Sequence, residues 1–274
     1  MNSIIWLVNP AEFKEEDILF PAYLVKNGRH RLAVVFLNEL EPREVPVVSN
    51  DPVFPTTNYT IPPVDIYGDA SGLAEEVRER IHNAARREGI SLYFPVSPEE
   101  GSVLEQSRFA DLVLLNANLS YGSGNESPSE FVMDLLPKMQ CPVMIMPDGL
   151  QEIHEIYLAY NGSYSSMYAI RQLNYLFPEF SRLPVTVIYV EEGGIGIPFE
   201  KSLKEYLRNN YVNFTIRLLR GDPASALMDE LMMKKNILVT LGAFGRNRAS
   251  RFFRQSNAEG IFKVINIPVF VTHP

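Results

Sequence analysis

Cysteine is almost missing from this chain. Cys141 is the only one in 274 residues, so no disulfide can form within the chain, and a reducing compartment is the simplest setting. Long apolar runs are missing as well. No segment approaches the roughly 20 apolar residues that span a bilayer, and no membrane partner is expected. The opening stretch MNSIIWLVNPAEFKEED lacks a basic lead, and its apolar run breaks at Asn9-Pro10. A secretory leader is therefore not expected, and the expected location is cytoplasmic. His30, His82, His154 and His273 are scattered without metal-ligand spacing, which disfavours a structural metal. The stretch NGSYS at 161–165 is not a G-x-S-x-G nucleophile elbow, so a serine hydrolase has no motif to rest on. Excess cationic charge is absent too. A net charge of −8 argues against generic binding to nucleic acid or anionic lipid.

What the chain does have is apolar material, at 46% of residues against 21% charged, the balance of a folded protein with sizeable cores. Its charge is divided unevenly. Residues 1–150 carry 11 Lys and Arg against 22 Asp and Glu, and residues 151–274 carry 14 against 11, giving −11 and +3. An anion is better received in the second half.

Periodicity divides the chain in the same place. In the second half, the strand-like runs EIYLAY (155–160), PVTVIYV (184–190), VNFTIRLL (212–219), NILVTLG (236–242) and IPVFVT (267–272) alternate with helical segments. The first half has IIWLV (4–8), LAVVFL (32–37), SLYFPV (91–96), ADLVLLN (110–116) and CPVMIMP (141–147), with helices near 15–26, 70–89, 99–109 and 129–139. Strands apolar on both faces, alternating with helices, predict a mostly parallel sheet covered on both sides. The two endings superpose at an offset of 126, with Leu112 on Leu238 and Pro142 on Pro268. The chain reads as a tandem duplication, with domains at 1–150 and 151–274. A Pro-rich stretch at 42–65, without counterpart in the second copy, is long enough to be either functional or mobile.

One segment suggests a ligand. LGAFGRNRASRFFRQS (241–256) places two glycines three apart after a strand, with four arginines following and a serine opening a helix. A Gly-rich turn leaving a parallel strand exposes backbone N–H groups, and a helix start carries partial positive charge, so phosphate is a natural occupant. The alternative is structural: Ser256 and Glu259 have capping-box spacing, and the arginines form a solvated surface.

With the strand before NGSYSS, the RGDP turn before a helix, and the closing IPVFVT, this stretch resembles a universal stress protein domain. The resemblance covers the second half and, more weakly, the first. It implies an α/β fold of two tandem five-stranded parallel, Rossmann-like units of the adenine nucleotide alpha hydrolase-like kind, packed as a pseudo-dimer through their final strands. It also implies that full chains can pair as homodimers. Many members bind ATP through Gly, two residues, Gly, nine residues, then Gly-Ser or Gly-Thr. Gly242, Gly245 and Ser256 match, whereas Gln255 replaces a glycine and Asn161 stands where ATP binders carry Asp. The implied contacts are Asn161, Gly162, Ser163, Val190, Gly242, Gly245, Arg246, Gln255, Ser256 and Asn257. The ligand would be ATP or another adenine nucleotide, with magnesium where hydrolysis occurs, and any hydrolysis would be slow. Asn161-Gly162 also reads as a plain turn with Ser163 or Ser165 capping the next helix.

In the first copy the offset of 126 puts Asn116, Leu119, Ser120 and Glu130 at the positions of Gly242, Gly245, Arg246 and Ser256. That copy is expected to be a partner domain without a site. Two functions stay open: a nucleotide-responsive stress protein, or a member without nucleotide that acts through protein contacts.

Overall fold

A computed structural model describes residues 2–28, 30–37, 70–95, 103–119, 132, 135–147, 149–150, 152–191, 194, 196–232, 234–242 and 267–272. The Pro-rich stretch and residues 243–266 lie outside them.

The first half contributes strands β1 (Asn2–Val8), β2 (His30–Phe36), β3 (Leu92–Tyr93), β4 (Leu112–Asn116) and β5 (Val143–Met146), with helices α1 (Leu19–Asn27), α2 (Ala70–Glu88) and α3 (Val103–Gln106). The second contributes β6 (Glu155–Ala159), β7 (Val185–Glu191), β8 (Phe214–Arg220), β9 (Ile237–Gly242) and β10 (Val269–Thr272), with α4 (Tyr164–Leu176), α5 (Glu200–Asn210) and α6 (Pro223–Leu231). All ten strands form one sheet in the order β3-β2-β1-β4-β5-β10-β9-β6-β7-β8.

Strand side chains alternate between two cores, which explains why the strand sequences are apolar throughout. Ile4, Trp6 and Val8 face the layer that holds Leu24 of α1, Val77 and Ile81 of α2, Ile170 and Leu173 of α4, and Leu203 and Leu207 of α5. Ile5 and Leu7 face the other layer, with Val103 of α3 and Leu227 and Leu231 of α6. Both cores run through both halves, and burying each such side chain contributes about 1.5–3 kcal/mol.

The duplication is visible residue by residue. Val113, Leu114, Leu115 and Asn116 lie beside Val143, Met144, Ile145 and Met146; 126 positions on, Val239, Thr240, Leu241 and Gly242 lie beside Val269, Phe270, Val271 and Thr272. Even the entry to the ladder repeats: Val113 N–H donates to the Pro142 carbonyl at 3.0 Å and Val239 N–H to Pro268 at 3.1 Å.

Where the halves meet, β5 and β10 run antiparallel, with Val269 opposite Ile145, Phe270 opposite Met144 and Val271 opposite Val143. Met144 and Phe270 are equivalent positions, so the pseudo-two-fold axis passes between them. This is the self-complementary geometry of an isologous interface, and it hides two apolar edges that would otherwise be exposed. The resemblance implied this pairing, and the structure has it.

Two elements end earlier than their sequence pattern. SLYFPV yields only Leu92–Tyr93, paired with Leu32 and Ala33. Pro95 has no N–H to continue the ladder. Phe94 leaves it and stacks near Phe36 and His82, at 5.6 and 5.3 Å between ring centroids, with the Arg78 guanidinium 4.4 Å from its own. Of the helix anticipated near 99–109, the described residues hold Val103–Gln106. Ser107 ends it, donating its hydroxyl to the Leu104 carbonyl and accepting Gln140 N–H, a local alternative to helical bonding.

Candidate functional site

Both halves wind in the same way. In the second, the chain moves outward from β6 to β7 and β8, then returns to place β9 on the other side of β6. Strand order therefore reverses between β6 and β9, and ligands of open α/β sheets bind beyond the carboxyl ends of the strands at such a point.

Asn161 and Gly162 leave β6 at that position. The Asn161 Oδ1 accepts the Ser163 N–H at 3.0 Å, an Asx turn that redirects the chain into α4. Ser163 caps this helix: its Oγ accepts the Ser166 N–H at 3.2 Å, and the Ser166 hydroxyl donates back to the Ser163 carbonyl at 2.9 Å. The helix then buries Ala169, Ile170, Leu173 and Leu176, a spacing that keeps one face on the sheet. Gly162 has φ +77°, and a Cβ there would meet the Pro198 ring at 2.6 Å. Pro198 is fixed in turn, because the Tyr160 hydroxyl donates to its carbonyl at 2.9 Å. Burial raises the Tyr160 pKa, so the phenol stays a donor at neutral pH.

Leu158 lies opposite Thr240, so Gly242 stands level with Tyr160 at the end of β9. A side chain on Gly242 would collide with the Ser165 carbonyl and the Ser166 nitrogen. The missing Cβ lets the first turn of α4 rest on the strand backbone. On the other flank Ala159 lies opposite Ile188, which sets Val190 level with Asn161. The neighbouring Glu191 carboxylate accepts the Gly196 N–H at 3.3 Å and lies 3.6 Å from Arg220 Nε.

Of the anticipated contacts, the fold thus gathers Asn161, Gly162, Ser163 and Gly242 at one switch point, with Val190 one strand away. Gly245, Arg246, Gln255, Ser256 and Asn257 lie outside the described residues. The turn and capping roles of Asn161 and Ser163 are those the sequence offered as the structural alternative. The first half has the same turn, with Ala11 N–H donating to Asn9 Oδ1 at 3.0 Å, but Asn116 takes the place of Gly242.

Sequence reasoning passed over Thr240 and Thr272. Both are fully buried on the face that α4 covers, and neither hydroxyl has a hydrogen-bond partner among the described residues. Their first-half equivalents are Leu114 and Met146. The 126-residue comparison could have revealed them, as two apolar core positions turned polar in the second copy alone. Among the described residues, no three His, Cys, Asp or Glu side chains are grouped to hold a metal, and no helix is long and apolar enough to cross a membrane.

This is a doubly wound α/β protein whose strand order reverses once in each half, between β1 and β4 and between β6 and β9. Its fold is that of universal stress proteins, present twice in one chain. A universal stress protein from Archaeoglobus fulgidus DSM 4304 superposes with a TM-score of 0.68 at 14% identity, covering 99% of this chain and 98% of that one. A putative universal stress protein from Pseudomonas aeruginosa UCBPP-PA14 gives 0.57 at 12% identity, over 100% and 94%. A protein of unknown function from Pseudomonas aeruginosa PAO1 gives 0.56 at 13%, over 100% and 93%. No family model and no curated protein matches the sequence.

Proposed function

We propose that this chain is a stress-type regulatory protein that binds ATP or a related adenine nucleotide in its second half, 151–274, while the first half, 1–150, serves as a structural partner. One observation carries the reading: the ends of β6 and β9, with Asn161 and Gly242, adjoin the strand-order reversal, where α/β folds receive nucleotides. The charge split of −11 and +3 and the motif Gly242, Gly245, Ser256 support the same half. The two threonine hydroxyls, without a partner among the described residues, suit a site that is polar in one copy only. Asn161, Gly162, Ser163 and Val190 would border the nucleoside. Gly242, Gly245, Arg246, Gln255, Ser256 and Asn257 would hold the phosphates. Bound magnesium would neutralise phosphate charge, and hydrolysis at this site would be slow, since no general base is assigned.

The second reading is a non-nucleotide protein acting through protein contacts. It is favoured by the ordinary structural work that Asn161 and Gly242 already do in turn and packing. Calorimetric titration with Mg-ATP, alongside identification of any nucleotide released on denaturing the purified protein, decides between them. One site per chain supports the proposal. Two equivalent sites would overturn the asymmetry, and no heat together with no released nucleotide favours protein contacts.

A further inference from the structure

The outer side of α4 carries an aromatic stripe. Tyr164 is 68% exposed and Tyr175 70%, with half-buried Tyr168 and exposed Arg171 between them. At about 100° per residue, these four positions fall within about 60° of one another around the helix. They lie opposite the buried face of Ala169, Ile170, Leu173 and Leu176. The rings of Tyr164 and Tyr168 already meet, at 5.9 Å between centroids.

A helix side turned to water ordinarily carries charge, and the adjoining helix does. On α5, tied to α4 by the Asn174 amide donating to Asn210 Oδ1 at 2.9 Å, the exposed positions of the same spacing are Lys201, Glu205 and Arg208. Arg171 is the single charge among the 13 residues of α4. Tyrosine and arginine with other charges withdrawn is the composition of an interface centre. The stripe is also held rigid, so little ordering entropy is lost on pairing. Ser163 caps one end, and at the other the Leu176 carbonyl accepts Asn2 Nδ2 from the first half at 3.3 Å.

The order of the residues selects the occupant. Tyr164 and Tyr175 are equidistant from the point between Ala169 and Ile170, and so are Tyr168 and Arg171. A second α4 laid antiparallel about that point sets Tyr164 against Tyr175 and Arg171 against the Tyr168 ring, an aromatic pair and a cation–π pair, each made twice. Parallel pairing would instead set Arg171 on Arg171. The equivalent helix of the first half offers no such face: α1 exposes Lys26 and Asn27, and its Tyr23 is turned into the seam, where the hydroxyl donates to the Ile153 carbonyl at 3.3 Å.

We propose that the α4 stripe is a self-complementary docking surface through which two copies of the full chain pair, antiparallel, about a two-fold axis at Ala169 and Ile170. The β5–β10 seam is satisfied within each chain and stays free of this contact. With one such stripe per chain the contact closes at two copies. A helix face about 16 Å long buries less than the roughly 800 Å² per partner of a standard interface, so the dimer forms reversibly at micromolar concentration. The pairing does not depend on what the candidate site binds.

Sedimentation velocity on the full chain without nucleotide, from about 1 to 300 µM, brackets that range. Wild type should pass reversibly from monomer to dimer. Tyr175→Glu should weaken the association at least about thirtyfold, because each substitution acts twice. Phe109→Glu, which removes an apolar side chain that is 87% exposed on another part of the surface, should leave it unchanged. Orientation is read by cross-linking, since Cys141 is buried. Under mild oxidation a mixture of Tyr164→Cys and Tyr175→Cys proteins should give a disulfide-linked dimer, and either variant alone should not. A monomer throughout, growth beyond two copies, a dimer indifferent to Tyr175→Glu or equally lost in Phe109→Glu, or cross-linking of each variant only with itself overturns the proposal.

Discussion

Gly242 shows how one residue can serve two readings. Under the proposed function it would be the first phosphate-loop glycine, while the structure uses its missing Cβ to seat α4 on β9. The atoms a side chain would strike are backbone, which cannot swing aside, so Gly242→Ala should destabilise by about 1–3 kcal/mol, as thermal unfolding without ligand will register. Ser256 and Gln255 separate the ligand reading from the structural one. Ser256→Glu copies the acid that the first half has at Glu130 and should abolish Mg-ATP binding while a helix start still tolerates it. Gln255→Gly should tighten binding about fivefold, the equivalent of ~1 kcal/mol, if that residue adopts a left-handed backbone. Unchanged titrations in both variants favour protein contacts. Cys141 has a plainer fate. Burial, with a smaller contribution from the Asp111 charge, pushes its thiol up to about 12 against a backbone hydrogen bond at Val113. Because the thiolate is the reactive form, a disulfide reagent should leave native protein unmodified at neutral pH and label one thiol after denaturation.

At the scale of elements, caps and breakers account for most boundaries. Asp222 precedes Pro223 at the start of α6 and accepts from the Ser225 N–H and hydroxyl, both at 3.0 Å. These bonds hold its carboxyl below the usual carboxylate range, the backbone donor first. A depressed pKa means that the cap is fully formed above the unfolded value and is lost as pH falls through the folded one. Acid unfolding of Asp222→Asn should therefore lack this contribution, and its stability relative to wild type should improve as pH drops below about 4. A gap that does not depend on pH would show that the charge is idle. Elements with such signals were legible in sequence: the Asp-Pro start of α6, the Asn-Gly-Ser entry to α4, the apolar spacing of α2. Those trimmed by neighbours were not. β3 stops because Pro95 has no N–H and Phe94 prefers a guanidinium and two rings, and α3 stops because Ser107 finds a partner in Gln140, 33 residues on.

At the scale of the molecule, the pseudo-two-fold axis through Met144 and Phe270 makes a definite claim. Residues 151–274 expressed alone would expose the β10 edge, with Val269, Phe270 and Val271 in an antiparallel register that pairs with itself as it does with β5. Light scattering should find a homodimer or aggregate. A soluble monomer would mean that the β5–β10 seam is not needed to cover that edge. In the full chain the seam is occupied from within, so a homodimer of full chains would have to use other surfaces.

Some of this was determined by the sequence alone. Alternation of apolar strands with amphipathic helices specifies a parallel sheet covered on both faces, because each strand must bury two sides. A constant offset of 126 between the endings specifies a duplication, because equivalent ladders need equivalent spacing. Asn161, Gly162, Ser163 and Gly242 were nameable from motif and turn chemistry, which are local. Only the tertiary structure decided which strands meet at the reversal of order, since that depends on contacts between segments some 80 residues apart, such as Leu158 and Thr240. It alone showed that Gly242 is required by a helix start rather than by a turn. It alone buried Thr240 and Thr272 without partners among the described residues and set His30 against Glu179. A residue's identity states what chemistry it can offer, and only the packing of distant segments determines what it is left facing.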